Sequence, residues 1–213
     1  MENGMSYYES QIEARKQALF GMLDPGIEDV LELGLGTGPN LKYYPKGISV
    51  VGVEPNAYMN QYALEKAEAC GVNLQIRRGF GENLPLEDAS VDAVVGTLVM
   101  CSVSDPAMVL SEVVRVLRPG GQYIFIDHVA ADPGTALLFQ QRLLYGLQQF
   151  VGGGCHLTRR TGDLIQSAAQ PAHQVSNKGP ERLFADVKME KFELDGDNLW
   201  LIAPHVAGVA TRA

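Results

Sequence analysis

Between Glu32 and Gly38 the chain reads Glu-Leu-Gly-Leu-Gly-Thr-Gly, three glycines on alternate positions behind a carboxylate. Gly34, Gly36 and Gly38 let the backbone pass close to a bound group. Set after a strand and before a helix, such a loop offers free N–H groups and a positive dipole end to a ligand carboxylate or phosphate. A tight strand-to-helix turn without a ligand is the plainer alternative. Glu54-Pro55 closes the next apolar run, 20 positions after Gly34. A carboxylate there can accept hydrogen bonds from both hydroxyls of a ribose, so the two segments together suit a nucleoside.

Two features separate a dinucleotide from S-adenosylmethionine. The dinucleotide fingerprint G-x-G-x-x-G requires a third glycine at position 39, where Pro39 stands. Glu32 lies two residues before the first glycine, where a dinucleotide strand carries an apolar residue. A carboxylate there suits an ammonium and would repel a pyrophosphate. The candidate cofactor set is therefore Glu32, Gly34, Gly36, Gly38, Glu54 and Pro55. Gly81 and Glu82 join it, in a turn whose polar groups can read an adenine edge with Phe80 against its face. Thr97 completes it, beside the expected position of a transferred methyl.

Asp127-His128 ends a later apolar run and supplies the catalytic candidates. His128 is expected either to accept a proton from an attacking thiol, hydroxyl or amine, or to orient its neighbours. Cys101 reads as a buried structural cysteine, since direct methyl transfer needs no covalent enzyme intermediate. Cys155-His156 reads as a pocket-lining or metal-binding pair, but only one such pair exists, and no metal is expected.

These residues need a scaffold that brings strand ends to one edge. Apolar runs predict strands over 29–33, 48–53, 74–77, 91–99 and 122–127, then a terminal pair over 187–194 and 199–210. Helices are predicted over 5–23, from Pro39, over 57–70 with Gly71 as its C-terminal cap, from Asp105-Pro106 to Pro119, over 135–150, and over 161–169 with Thr161 as N-cap. The polar stretch 170–182 reads as a loop. Strands alternating with helices predict an α/β, doubly wound, Rossmann-like parallel sheet in one globular domain. Right-handed crossovers then place the loops that follow the strands on one ligand-binding edge. Residues 1–27, with Tyr7 and Tyr8, are expected to form a helical lid over the 28–213 cofactor-binding part.

The chain has 213 residues and a net charge of -8, which disfavours nucleic acid as a partner. Three widely spaced cysteines suit a reducing, cytoplasmic setting. The longest apolar run, 93–103, falls short of the roughly 18 residues that span a bilayer. A soluble protein acting on a small molecule is expected.

Together, Glu32 to Gly38, Glu54, Gly81-Glu82, Asp92 and Arg115-Val-Leu-Arg-Pro-Gly-Gly121 resemble the class I S-adenosylmethionine-dependent methyltransferases over residues 28–210. Within that class, Thr97-Leu-Val-Met-Cys-Ser-Val103, His128-Val-Ala-Ala131 and Gly154-Cys-His-Leu-Thr-Arg159 resemble the methyltransferase-like seven group, linked to S-methylation of small thiols. The ubiquinone-type C-methyltransferases are a more distant match. The resemblance implies strand order 3-2-1-4-5-7-6 with the last strand antiparallel, ribose on Glu54, adenine near Gly81-Glu82, and methyl transfer to a small-molecule acceptor. A thiol acceptor would need no strong base, because a free thiol ionises at a pKa of about 8.5. Methylation of carbon or oxygen on a quinone-like or phenol-like acceptor is the alternative and would make His128 important. A nicotinamide-dependent oxidoreductase is disfavoured by Pro39 and Glu32; a non-catalytic S-adenosylmethionine-binding protein is a further alternative. Three departures stand out: Leu35, where cysteine is common; Phe80, where an acidic residue is frequent in the wider superfamily; and an N-terminal stretch that does not read as the hydrophobic anchor expected of the thiol-methylating group.

Overall fold

The computed structural model describes residues 2–151, 154–168, 183–196 and 199–213. Strands β1 (Asp29–Leu33), β2 (Ser49–Val53), β3 (Asn73–Arg77), β4 (Val91–Thr97), β5 (Leu117–His128), β6 (Phe184–Glu193) and β7 (Pro204–Arg212) form one sheet in the order β3-β2-β1-β4-β5-β7-β6. The first five run parallel, and β7 lies antiparallel between β5 and β6. The doubly wound α/β class and the strand order are both as expected.

Strand residues alternate between two cores, as a sheet buried on both faces requires. Val30, Ala93, Val95, Ile124 and Ile126 meet helices α1 (Glu2–Phe20) and α2 (Asn60–Cys70). Leu31, Val94, Tyr123 and Phe125 meet α3 (Pro106–Val116) and α6 (Thr161–Ser167). Asp105 caps α3 by accepting from the N–H groups of Ala107 and Met108 (2.9 and 3.1 Å). Asp92 accepts from the N–H groups of Glu28 and of Asp29, the first residue of β1 (2.9 and 3.0 Å), and pairs with Arg118, locking the base of the sheet.

Four local expectations are corrected. No α-helix follows the glycine loop; a single 3-10 turn, Leu41–Tyr43, stands there. Tyr44 is extended (φ -76°, ψ 148°) because Pro45 behind it disfavours helical angles, which ends the helix before it starts. The expected dipole end is therefore missing. The helix over 135–150 divides into α4 (Ala136–Leu143) and α5 (Tyr145–Val151) where Leu144 leaves helical angles, two residues before the poor helix former Gly146. Thr161 is the first residue of α6 rather than its cap, and its buried hydroxyl meets no partner. β5 begins at Leu117, through the expected break at Pro119-Gly-Gly121, with a register jump against β4 between Val91 and Ala93. The predicted loop over 170–182 lies outside the described residues.

Candidate active site

The glycine loop crosses the carboxyl ends of β1 and β2. Gly34, Gly36 and Gly38 all take left-handed angles (φ +59°, +55° and +68°), which explains three glycines on alternate positions. A Cβ on Gly34 would lie 2.7 Å from Val99 Cγ2, whereas one on Gly36 would meet nothing nearer than 3.9 Å. The chain therefore keeps open space over Gly36. Gly36→Ala should cost only the left-handed strain, about 1 kcal/mol, read as a lowered urea midpoint with an unchanged slope. A loss near zero would mean that the loop adopts other angles in solution.

Glu54 sits across from that loop. Its Oε2 accepts from the Gly36 N–H (2.9 Å) and its Oε1 from the Asn56 N–H (2.8 Å). Each carboxylate oxygen keeps further acceptor capacity for a ligand hydroxyl. Between them opens a cleft of about 330 Å³, lined by Gly34, Glu54, Pro55, Phe80, Gly81 and Glu82, and on the far wall by the segment 98–104. That volume lies at the lower end for small-molecule sites. Phe80 is 67% exposed at the rim, and Leu98 is held at a left-handed φ of +59°, a strained angle for a branched residue. A larger groove, about 610 Å³ between α1 and strands β6 and β7, shares no residue with this cleft.

Glu82 braces the cleft as well as lining it: its Oε1 accepts from the N–H groups of Ser104 and Asp105 (2.7 and 3.2 Å). The turn is fastened to α3, where Glu112 accepts from the Leu84 N–H (2.7 Å) and Arg115 donates to the carbonyls of Leu84 and Leu86 (3.1 and 2.8 Å). The Arg115 motif thus acts on the site from a distance.

Glu32 lies behind the loop and is 1% exposed. Its oxygens accept from Asn40 Nδ2 and the Tyr44 hydroxyl (both 2.9 Å), and Asn40 also donates to Thr97 Oγ1 (3.0 Å). Burial pushes the Glu32 carboxyl up to about 7, against the pull of those two hydrogen bonds and of Lys16. Of the sequence-predicted set, Glu32, Gly36, Gly38 and Thr97 do not line that cleft; Asn40 and Tyr44 surround the Glu32 carboxylate.

The edge beyond β4 and β5 carries the remaining candidates. Asp127 is 0% exposed. The N–H groups of Val99, Met100 and Cys101 face its carboxylate without meeting it in full hydrogen-bond geometry, and burial holds its carboxyl well above the usual range. A group so enclosed is out of reach of solvent. His128 is 2% exposed, its ring nitrogens 3.3 and 3.4 Å from Cys155 Sγ. Cys101 Sγ lies 3.4 Å from the Leu98 carbonyl. Tyr8 of α1 reaches the same region and bonds His205 Nε2 (2.8 Å). Because His205 Nδ1 faces the Ala203 carbonyl (2.9 Å), that nitrogen carries the proton and Tyr8 donates. Burial lowers His205 to about 4, consistent with a neutral ring.

Sequence reasoning missed Arg159, which donates to the carbonyls of Met100 and Val103 and so holds the far wall of the cleft. It lay inside a quoted motif, but only the fold gives it a partner.

A sheet of this order, with a glycine loop and a strand-end carboxylate enclosing one cleft at its carboxyl edge, defines the class I S-adenosylmethionine-dependent methyltransferases. Residues 31–125 match the family model described as a methyltransferase domain. The thiol S-methyltransferase TMT1B of Rattus norvegicus is 37% identical over 95% of this chain and 80% of its own length. Human TMT1A is 34% identical over 96% of this chain and 81% of its own. The chain belongs to their family of methyltransferases, and its cofactor is S-adenosyl-L-methionine. Among solved structures, an S-adenosylmethionine-dependent methyltransferase of Thermotoga maritima shares the fold (TM-score 0.65, 21% identity, 100% of this chain and 96% of that one). A geranyl diphosphate methyltransferase complexed with GPP and sinefungin does so too (TM-score 0.65, 17% identity, 94% and 77%). Among the described residues no helix is long and apolar enough to cross a membrane.

Proposed function

We propose that the chain methylates the sulfur of a small thiol. The observation that carries this reading is that the two candidate bases at the end of β5, Asp127 and His128, are both buried. A thiol ionises near neutrality and needs little help, whereas a hydroxyl or carbon acceptor would require a base within reach. The relatives named above, which match nearly the whole chain, are thiol S-methyltransferases by name.

In this reading Glu54 takes the ribose hydroxyls, and the backbone of Gly34, Gly36 and Gly38 admits the cofactor's amino-acid end. Pro55, Phe80, Gly81 and Glu82 enclose the adenine. Glu32 acts through Asn40, which Thr97 holds in place, and so sets a negative potential toward the ligand's ammonium. The cofactor supplies an electrophilic methyl, so the chain has to align the acceptor and exclude water. Such alignment is worth effective molarities of ~10⁵ M or more. Asp127 is a positioning residue that gathers the segment 99–101, and His128 forms part of the acceptor wall. Helix α1, tied to β7 through Tyr8 and His205, is the lid of residues 1–27. A reducing compartment such as the cytoplasm suits its free cysteines.

A panel of small thiols, phenols and amines, incubated with labelled cofactor and read by mass spectrometry, tests the acceptor. Thiols should be methylated at least about 30-fold faster than phenols of equal size, because phenols ionise roughly 1.5 pH units higher. Phenols or amines turned over while every thiol stays inert would overturn the proposal.

A further inference from the structure

We infer that Cys101, His128 and Cys155 form a binding site for a thiophilic divalent cation, zinc in the cell, with one coordination position left to an external ligand. The three residues come from separate parts of the chain. Cys101 follows β4, His128 ends β5, and Cys155 lies between α5 and α6. Their sulfur and nitrogen ligand atoms all lie within 4.8 Å of one another.

The spacing fits the ion. Zinc holds sulfur at about 2.3 Å and imidazole nitrogen at about 2.0 Å in a tetrahedron, which sets neighbouring ligand atoms roughly 3.5–3.8 Å apart. Cys155 Sγ stands 3.3 Å from His128 Nδ1 and 3.4 Å from Nε2, over the ring face, so binding turns the imidazole or the thiol until one nitrogen points at the shared ion. Charge fits as well. Two thiolates and a neutral imidazole cancel a doubly positive ion, so the buried group carries no uncompensated charge. The donor set of two sulfurs and one nitrogen selects zinc over magnesium or calcium, which prefer oxygen.

The backbone around the three ligands is stapled in place. The His156 N–H donates to the Cys101 carbonyl (2.8 Å), tying the Cys155 segment directly to the Cys101 segment. The Ala130 N–H donates to the Arg159 carbonyl (2.7 Å), joining that same segment to the end of β5. Arg159 also clamps the carbonyls on either side of Cys101. Positions fixed in this way suit a preformed coordination site. Three protein ligands leave the fourth tetrahedral position for a small external donor. Cys155, the partly exposed member, marks the side from which that donor enters.

The test does not depend on the acceptor, because metal content is read without turnover. The full chain is purified under a non-thiol reductant and analysed for metals, then exchanged into cobalt(II). We expect about one zinc per chain and, with cobalt, a thiolate charge-transfer band together with the visible bands of tetrahedral geometry. Cys155→Ser, at the partly exposed position, should weaken zinc more than about 100-fold, since loss of outer partners alone costs ~10–100-fold. Cys101→Ala should do the same, with circular dichroism checking its fold. Cys70→Ser, remote from the cluster, should change nothing. A chain that carries no zinc and gives no charge-transfer band with cobalt would overturn the site. So would a band that survives Cys155→Ser, or a Cys101–Cys155 disulfide in protein isolated under reductant.

Discussion

Glu54→Ala should weaken S-adenosylmethionine binding about 100-fold in a calorimetric titration, with the fold intact. Hydrogen bonds to a charged partner contribute about 1.5–3 kcal/mol each, and a ribose offers two hydroxyls to this carboxylate. Part of the loss arises inside the protein. Glu54 also accepts from Gly36 and Asn56, so its removal frees two backbone donors at the rim of the cleft. Glu54→Gln separates the contributions: it keeps one acceptor oxygen for the loop but loses the charge, and should fall between the parent and the alanine variant. An affinity within about threefold of the parent for Glu54→Ala would remove this residue from the ribose site.

Glu54 was legible in the sequence because its place depends on local facts. A strand of β-branched residues ends there, and the strand lies beside β1, whose own end carries the glycines. The same holds for the strand order's parallel half, where each apolar run is a strand and each turn signal a boundary. Local signals also misled. Pro39 looked like a helix start, but Pro45 six residues on denies the turn room to become a helix. Glu32 looked like a ligand-facing carboxylate because its position relative to the glycines was read without its neighbours. Asn40 and Tyr44 enclose it, and neither carries a motif that announces this. The cysteines show the limit most plainly. Cys101 and Cys155 stand 54 positions apart; read alone, the first is a structural thiol and the second is half of a single Cys-His pair. Only the crossover from β4 to β5, and the return of the chain after α5, puts both beside His128.

The enclosure of Glu32 gives a pH dependence whose sign is fixed. Its carboxyl is raised to about 7 in the folded chain from an ordinary 4.5, so between those values the folded state holds a proton that the unfolded state has lost. Stability from this group is complete below about pH 4.5 and drains away as pH rises through 7. The full loss is about 3 kcal/mol, since each unit is worth roughly 1.4 kcal/mol and the group is wholly buried. His205 works in the opposite sense: lowered to about 4, it makes the fold gain stability as pH rises from 4 toward 6.5. The parent curve therefore mixes both, and the difference between parent and Glu32→Gln isolates Glu32. Measured by urea unfolding at steps from pH 4.5 to 8, that difference should move by about 3 kcal/mol in favour of the glutamine variant. A difference that stays flat across the window would show that Glu32 ionises freely, as an exposed carboxylate does. Saturating cofactor should act on the same equilibrium from outside. A nearby ammonium favours the ionised carboxylate, so binding near pH 7 should release a proton, seen as a buffer-dependent heat in the parent and lost in Glu32→Gln.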